Sequence, residues 1–274
     1  MKVAFWSNTR GRSCVTSNLA CISVLSTLSS SDRERIIVLE NHQNILNLGN
    51  ALFCHQSKQE VRENRGYQVE HGLSRLLRAM ERGERLSEEA VFRYAENFLG
   101  QRLFYLPAGN GRNQEMFEYR LERDCIRTIR LLEQYGNLVL VDTAAASLAS
   151  SRKILRQADM VVINLSQNRQ MLDHIFRNYS AIRKKAFYLI GNYDAESELT
   201  RGAIIKEYHI PGSRLGIIPH NVQFADAVSA GELIPFLLRN YHCEEESCNY
   251  EFMASAREAA LLFQKAAEQV DRWE

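Results

Sequence analysis

Val3-Ala4-Phe5-Trp6, then Ser7-Asn8-Thr9-Arg10-Gly11-Arg12-Ser13-Cys14, then Val15-Thr16-Ser17-Asn18-Leu19-Ala20 is the stretch that decides the fold. An apolar run passes into a short polar loop and then into an apolar-periodic segment, which reads as strand, loop and helix. In that layout the loop amides and the helix N-terminus face one point, where a phosphate or another anion is favoured. Phosphate-binding loops of this kind usually end in Gly-Lys-Ser/Thr. Here the ending is Gly11-Arg12-Ser13.

The same rhythm continues outward. Apolar runs at Arg35–Glu40, Arg102–Leu106, Asn137–Thr143, Met160–Leu165, Ala186–Ile190 and Leu215–Ile218 read as strands buried on both faces. Between them, helical spacing predicts helices over Thr16–Leu28, around Leu73–Met80, over Ser87–Phe98, from Phe117 to Leu132, and near 169–183 and 198–208. Asn41–Asn50 reads as a loop at the carboxyl end of a strand, and residues 55–71, the most polar stretch, as a mobile surface excursion. The expected fold is α/β: a doubly wound, mostly parallel sheet of about seven strands with helices on both faces. With no Pro/Gly/Ser-rich linker and no internal repeat, residues 1–274 read as a single domain.

Lysine plus arginine (34) nearly cancels aspartate plus glutamate (33), so net charge predicts no nucleic-acid or membrane partner. The basic cluster Arg183-Lys184-Lys185 reads as a solvated helix end, with a DNA or lipid contact as the alternative. Six cysteines form no CxxC pair and no zinc-ligand spacing, and most read as buried thiols of a reducing cytoplasm. His242, Cys243 and Cys248 come nearest to a metal cluster and read as an ordinary surface loop. No secretory leader and no apolar run of about 20 residues is read, so a cytoplasmic protein is expected. The last helix, Glu251–Trp273, places Phe252, Ala256, Ala259, Ala260, Leu261, Phe263 and Ala267 where they can close the sheet. Its polar residues include Glu251, Glu258, Glu268, Asp271 and Glu274, which anionic headgroups would repel.

In an open α/β sheet the ligand lies beyond the carboxyl ends of the strands. The loop at 7–14, the loop after Glu40, Asp142 and the loop after Ile218 all fall there. In this order they resemble the ParA/MinD family of deviant-Walker P-loop ATPases over nearly the whole chain, closest in character to its TadZ- and CpaE-like members. Ser7–Cys14 with Asn18-Leu19-Ala20 is similar to the family's KGGxGKTT loop and first helix, and Glu40–Asn44 to its DxDPQ switch segment, with Leu46, Gly49 and Leu52 following. Leu106-Pro107-Ala108-Gly109, Val139-Leu140-Val141-Asp142-Thr143, Gly191-Asn192-Tyr193-Asp194 and Ile217-Ile218-Pro219-His220-Asn221 with Ala227 and Gly231 resemble the later motifs.

The resemblance implies ATP and magnesium as cofactors. It places Thr9, Arg10, Gly11, Arg12, Ser13 and Cys14 at the phosphates, and Asn192, Pro219, His220 and Asn221 at the base. Ser13 and Asp142 are implied for the magnesium ion, and no residue as catalytic. It further implies a homodimer that positions or regulates other proteins, pilus or secretion machinery among them, with membrane association only through a partner. Read as residues alone, the loop is also compatible with a structural remnant, Asp142 with a strand-end cap, and Asn192 and His220 with ordinary loop packing.

Departures from the family pattern fall on the reactive positions. Ser7 replaces the signature lysine that reaches the partner subunit's phosphate, and Asn8 and Thr9 replace two glycines. Arg12, a planar fork of donors, stands for the compact ammonium of the phosphate-binding lysine. Glu40 takes the first switch carboxylate, while His42 replaces the aspartate expected to position water and reads as a solvated loop histidine. Phosphoryl transfer depends on positioned charge and water, so hydrolysis is expected to be slow or lost. Two alternatives stay open: a nucleotide-free pseudo-ATPase scaffold, and a competent ATPase of DNA partitioning, against which the missing lysine and neutral charge count.

Overall fold

The computed structural model describes residues 1–9, 11, 13–53, 72–109, 114–144, 148–270 and 273. The excursion expected at 55–71 lies outside the described residues, as do Arg10 and Arg12.

The apolar runs become eight strands: β1 (Lys2–Trp6), β2 (Ile36–Glu40), β3 (Glu96–Phe98), β4 (Leu103–Leu106), β5 (Leu138–Asp142), β6 (Met160–Leu165), β7 (Ala186–Tyr193) and β8 (Leu215–Pro219). They form one sheet in the order β3-β4-β2-β5-β1-β6-β7-β8. All neighbours are parallel except β3, which pairs antiparallel with β4 at the edge. The central strands carry side chains into apolar layers on both sides, which is why they read as unbroken apolar runs. Val3 and Phe5 point into one layer, Ala4 and Trp6 into the other.

One layer contains α1 (Val15–Ser29), α2 (Leu48–Leu52), α10 (Val222–Ala230), α11 (Leu233–Asn240) and α12 (Tyr250–Gln269). The opposite layer contains α3 (Leu73–Glu81), α4 (Glu88–Phe92), α5 (Gln114–Leu132), α6 (Ala149–Gln157), α7 (Arg169–Asn178) and α9 (Arg201–Tyr208), with the short α8 (Ser180–Arg183) after α7. Helix α12 closes the sheet as expected, burying Phe252, Met253, Ala256, Ala259, Ala260, Phe263 and Ala266. Gly216 on β8 permits the close approach: a Cβ there would stand 2.9 Å from the Ala259 Cβ. Leu261, expected on that face, is instead 48% exposed. Among the described residues no helix is long and apolar enough to cross a membrane.

Two local readings change. The segment Ser87–Phe98, read as one helix, is α4 followed by β3, because Glu96–Phe98 finds a partner along β4 and tertiary pairing overrides local pattern. Asn41–Asn50, read as loop, ends in α2, whose first turn is capped by Asn47 Oδ1 accepting from Asn50 N at 3.1 Å.

Candidate functional site at the carboxyl edge of the sheet

The chain runs from β1 outward on one side and, after β5, crosses to β6 on the other, so the topological switch point lies at the carboxyl end of β1. Open α/β sheets bind ligands in the crevice at that point. The loop that leaves β1 there is folded onto itself. Thr9 N donates to Ser7 Oγ at 3.3 Å, and Ser13 Oγ donates to Thr9 O at 3.5 Å. Gly11 takes φ +73° with nothing within 4 Å of an added Cβ, so glycine serves the backbone conformation there. Cys14 adopts φ 53° as the N-cap of α1, and among the described residues no side chain caps that helix end. Among the described residues the first-turn amides of α1 therefore have no side-chain acceptor.

A buried amide stitch holds the loop to the sheet. Asn18 Nδ2 donates to Ser13 O at 3.2 Å and to Asn164 Oδ1 at 2.8 Å. Asn164 Nδ2 reaches back to Trp6 O at 3.4 Å. Gly191 on β7 leaves the room for this contact, since a Cβ there would lie 2.4 Å from Asn18 Nδ2. Asn18 thus has a physical role that its motif alone does not reveal.

Next to β1, Asp142 ends β5 and is almost wholly buried. Thr16 Oγ1 donates to its Oδ2 at 2.7 Å, and His42 Nε2 lies 3.5 Å from its Oδ1. His42 is 6% exposed, so the expectation of a solvated loop histidine is corrected: the backbone after β2 folds its ring onto the end of β5. Glu40, in register with Asp142 on the neighbouring strand, is bonded within the fold. It accepts from Leu48 N, at the start of α2, and from Tyr105 OH at 2.9 Å. Burial pushes its carboxyl up to about 7, helped by the charge of Asp142 and opposed by His42, the Leu48 amide and the Tyr105 hydroxyl. Asn41 ties the two strand ends together, its Oδ1 accepting from Ala144 N at 2.7 Å and its Nδ2 donating to Ser151 Oγ at 2.8 Å.

On the far side of the crevice, Asn192 and His220 form an exposed pair, with His220 Nδ1 and Asn192 Oδ1 2.8 Å apart. Asn192 holds φ 49°, a left-handed conformation that asparagine tolerates. Pro219 ends β8 beside them. Asn221 faces another way: it caps α10 by accepting from Phe224 N at 2.8 Å, and its Nδ2 donates to the buried Asn249 at 2.9 Å. The basic cluster is also engaged in the fold: Arg183 Nη1 donates to Phe176 O at 2.6 Å and Lys185 Nζ to Arg156 O at 2.9 Å.

Magnesium prefers a near-octahedral set of oxygens and keeps several waters. The described residues do not fit that set. Ser13 is 2% exposed with its hydroxyl turned to Thr9 O, and Asp142 accepts from Thr16 at Oδ2 while the His42 ring stands 3.5 Å from its Oδ1. Among the described residues no group of three or more His, Cys, Asp or Glu is placed to hold a metal ion, which covers His242, Cys243 and Cys248 too.

No family model matches the sequence, and no curated protein matches it either. Solved structures do. A ParA family ATPase from Chlorobium tepidum TLS superposes with a TM-score of 0.69 at 14% identity, covering 95% of this chain and 98% of its own. The septum site-determining protein MinD of Pyrococcus horikoshii OT3, complexed with Mg-ADP, gives 0.69 at 14% identity and 98% coverage of each chain. This is the ParA/MinD ATPase fold. The MinC:MinD cell division protein complex of Aquifex aeolicus agrees, at a TM-score of 0.64, 13% identity and 96% coverage of each chain. The mostly parallel sheet found here has eight strands, one more than the sequence leads one to expect.

Proposed function

We propose that this chain is an atypical adenine-nucleotide-binding protein of ParA/MinD type, a single domain over residues 1–274, with slow or lost hydrolysis. One observation carries the reading: the loop between β1 and α1 stands at the switch point of the sheet, before a helix N-terminus that no described side chain caps. Loop amides and helix dipole favour an anion at that place. The MinD neighbour complexed with Mg-ADP supports an adenine nucleotide as that anion. In this reading Arg12 brings the positive charge, and Asn192, Pro219 and His220 flank the base. Asn221, engaged with Phe224 and Asn249, supports that pocket from behind.

The nucleotide stabilises a cytoplasmic homodimer that positions or regulates another protein, in the manner of TadZ-like members, and the MinC:MinD complex supports a protein as the partner. ATP at 100-fold over its dissociation constant should add about 2.7 kcal/mol of stability, read as a rise in Tm, and Arg12→Ala should diminish that rise. No shift with millimolar ATP in a well-folded sample would remove the reading. It would favour a nucleotide-free scaffold, which the self-bonded Ser13 hydroxyl also supports.

Turnover should fall far below the ~10 per second of a typical enzyme. The resemblance gives Ser7 and His42 the places of the partner-facing cation and the water-positioning carboxylate, and phosphoryl transfer needs both. A purified sample reaching about one per second, abolished by Asp142→Ala, would show that another group does their work.

A further inference from the structure

At the switch point the Asp142 carboxylate is engaged within the chain. Thr16, in the first turn of α1, donates to Asp142 Oδ2 at 2.7 Å, and His42 Nε2 lies 3.5 Å from Oδ1. Asn44 N donates to His42 Nδ1 at 3.4 Å. With Nδ1 accepting, the ring proton belongs on Nε2, aimed at Asp142. The segment after β2, the end of β5 and the first turn of α1 thus converge on one acidic side chain. A carboxylate beside bound phosphates needs positive potential to offset their mutual repulsion. A divalent cation is the usual source, but an imidazole N–H is a poor neighbour for a hard cation that takes oxygen ligands.

We propose that the His42–Asp142–Thr16 cluster replaces the divalent cation of this site, so that the chain takes its phosphate ligand without a metal ion. The imidazole N–H and the hydroxyl satisfy the carboxylate directly, in a crevice where buried donors act at low dielectric. Ser13 follows the same logic: its hydroxyl closes on Thr9 O and is withdrawn from solvent. The ligand half of this inference rests on the nucleotide reading above, whereas the metal half concerns the chain alone.

Two measurements separate those halves. In the first, Mn2+ alone is titrated into the full chain and free Mn2+ is followed by electron paramagnetic resonance. Wild type should leave Mn2+ free, whereas His42→Asp, which sets a second carboxylate beside Asp142, should bind it at least about ten-fold more tightly. Asp142→Asn in the same background should abolish the gain. A Mn2+ ion bound by wild type and lost in Asp142→Asn overturns the proposal, as does a folded His42→Asp variant with no gain. Should His42→Asp not fold, His42→Ala takes its place, and unchanged metal binding there counts equally against the cluster's role.

In the second measurement, ATP binding is compared in excess magnesium and in EDTA by calorimetry. Dissociation constants within about three-fold of one another support the proposal, and binding more than about ten-fold tighter with magnesium overturns it. Absence of ATP binding in both conditions overturns the nucleotide reading and, with it, the ligand half; the Mn2+ result still decides the metal half.

Discussion

The two halves of the sheet's carboxyl edge are built differently. Around β2, β5 and β1 the polar side chains are turned inward onto one another: Glu40 onto the Leu48 amide and Tyr105, Asp142 onto Thr16 and His42, Ser13 onto Thr9. Around β7 and β8, Asn192 and His220 stand exposed and meet chiefly each other. The inward half spends its hydrogen-bonding capacity on the fold. The outward half keeps it at the surface, where exchanging water for a ligand costs little. Substitutions should therefore weigh on stability in the first half and on binding in the second.

The seam between the halves is where a single atom should matter most. Gly191 lies on β7, against the amide of Asn18 that holds Ser13 O and Asn164 together. Gly191→Ala would force a methyl within 2.4 Å of Asn18 Nδ2. Displacing that side chain adds overpacking to the loss of buried hydrogen bonds, for an expected destabilisation of roughly 3–5 kcal/mol. Chemical denaturation would measure it. A loss below about 1 kcal/mol would mean that the loop is not stitched to the sheet through Asn18.

Glu40 tests the inward half by pH. In the unfolded chain its carboxyl titrates near the ordinary 4.5, and in the folded chain near 7. Between those values the folded protein holds a proton that the unfolded chain releases. The group's contribution is therefore complete below about 4.5 and is lost as pH rises through about 7, a fall of about 3–4 kcal/mol. Glu40→Gln keeps an amide in contact with the Leu48 amide and Tyr105 but cannot ionise. Its stability should lack this fall, so the variant should gain on wild type between pH 5 and pH 8, read as the difference between two denaturation series. Parallel curves for the two proteins would place the ionised carboxylate in a more hydrated setting than its burial indicates.

These particulars also mark what a sequence can carry. The strands were legible because parallel strands buried on both faces leave unbroken apolar runs, as Ile36–Leu39 and Met160–Ile163 do. The loop at 7–14 was legible because its polarity interrupts such a run. The sequence gives Glu40 only the place of the first switch carboxylate; its bonds to the Leu48 amide and the Tyr105 hydroxyl emerge only from the packing of α2 beside β4. Thr16 was invisible for a different reason. Hydroxyls in α1 commonly bond a preceding carbonyl, as Ser23, Thr27 and Ser29 do, so a threonine in the first turn gives no sign that it will reach across to Asp142. Asn164 and Gly191 likewise gain their meaning only once β6 and β7 are side by side.

The smallest stability effect and the cleanest binding effect are expected on the outward half. His220→Ala removes an exposed ring whose contact is Asn192 Oδ1 at 2.8 Å. Surface substitutions of this kind change stability by less than about 0.5 kcal/mol, and the positive φ of Asn192 is kept because the asparagine itself is untouched. If His220 flanks the base, ATP affinity should nonetheless fall, by about ten-fold for the loss of one stacking or hydrogen-bonding partner. Inorganic triphosphate, which has no base, should bind wild type and variant alike. That pairing makes the comparison decisive: a loss shared by ATP and triphosphate would mean that His220 acts through the loop at 7–14. A loss of neither would leave the outward half without a role in recognition and return Asn192 and His220 to loop packing.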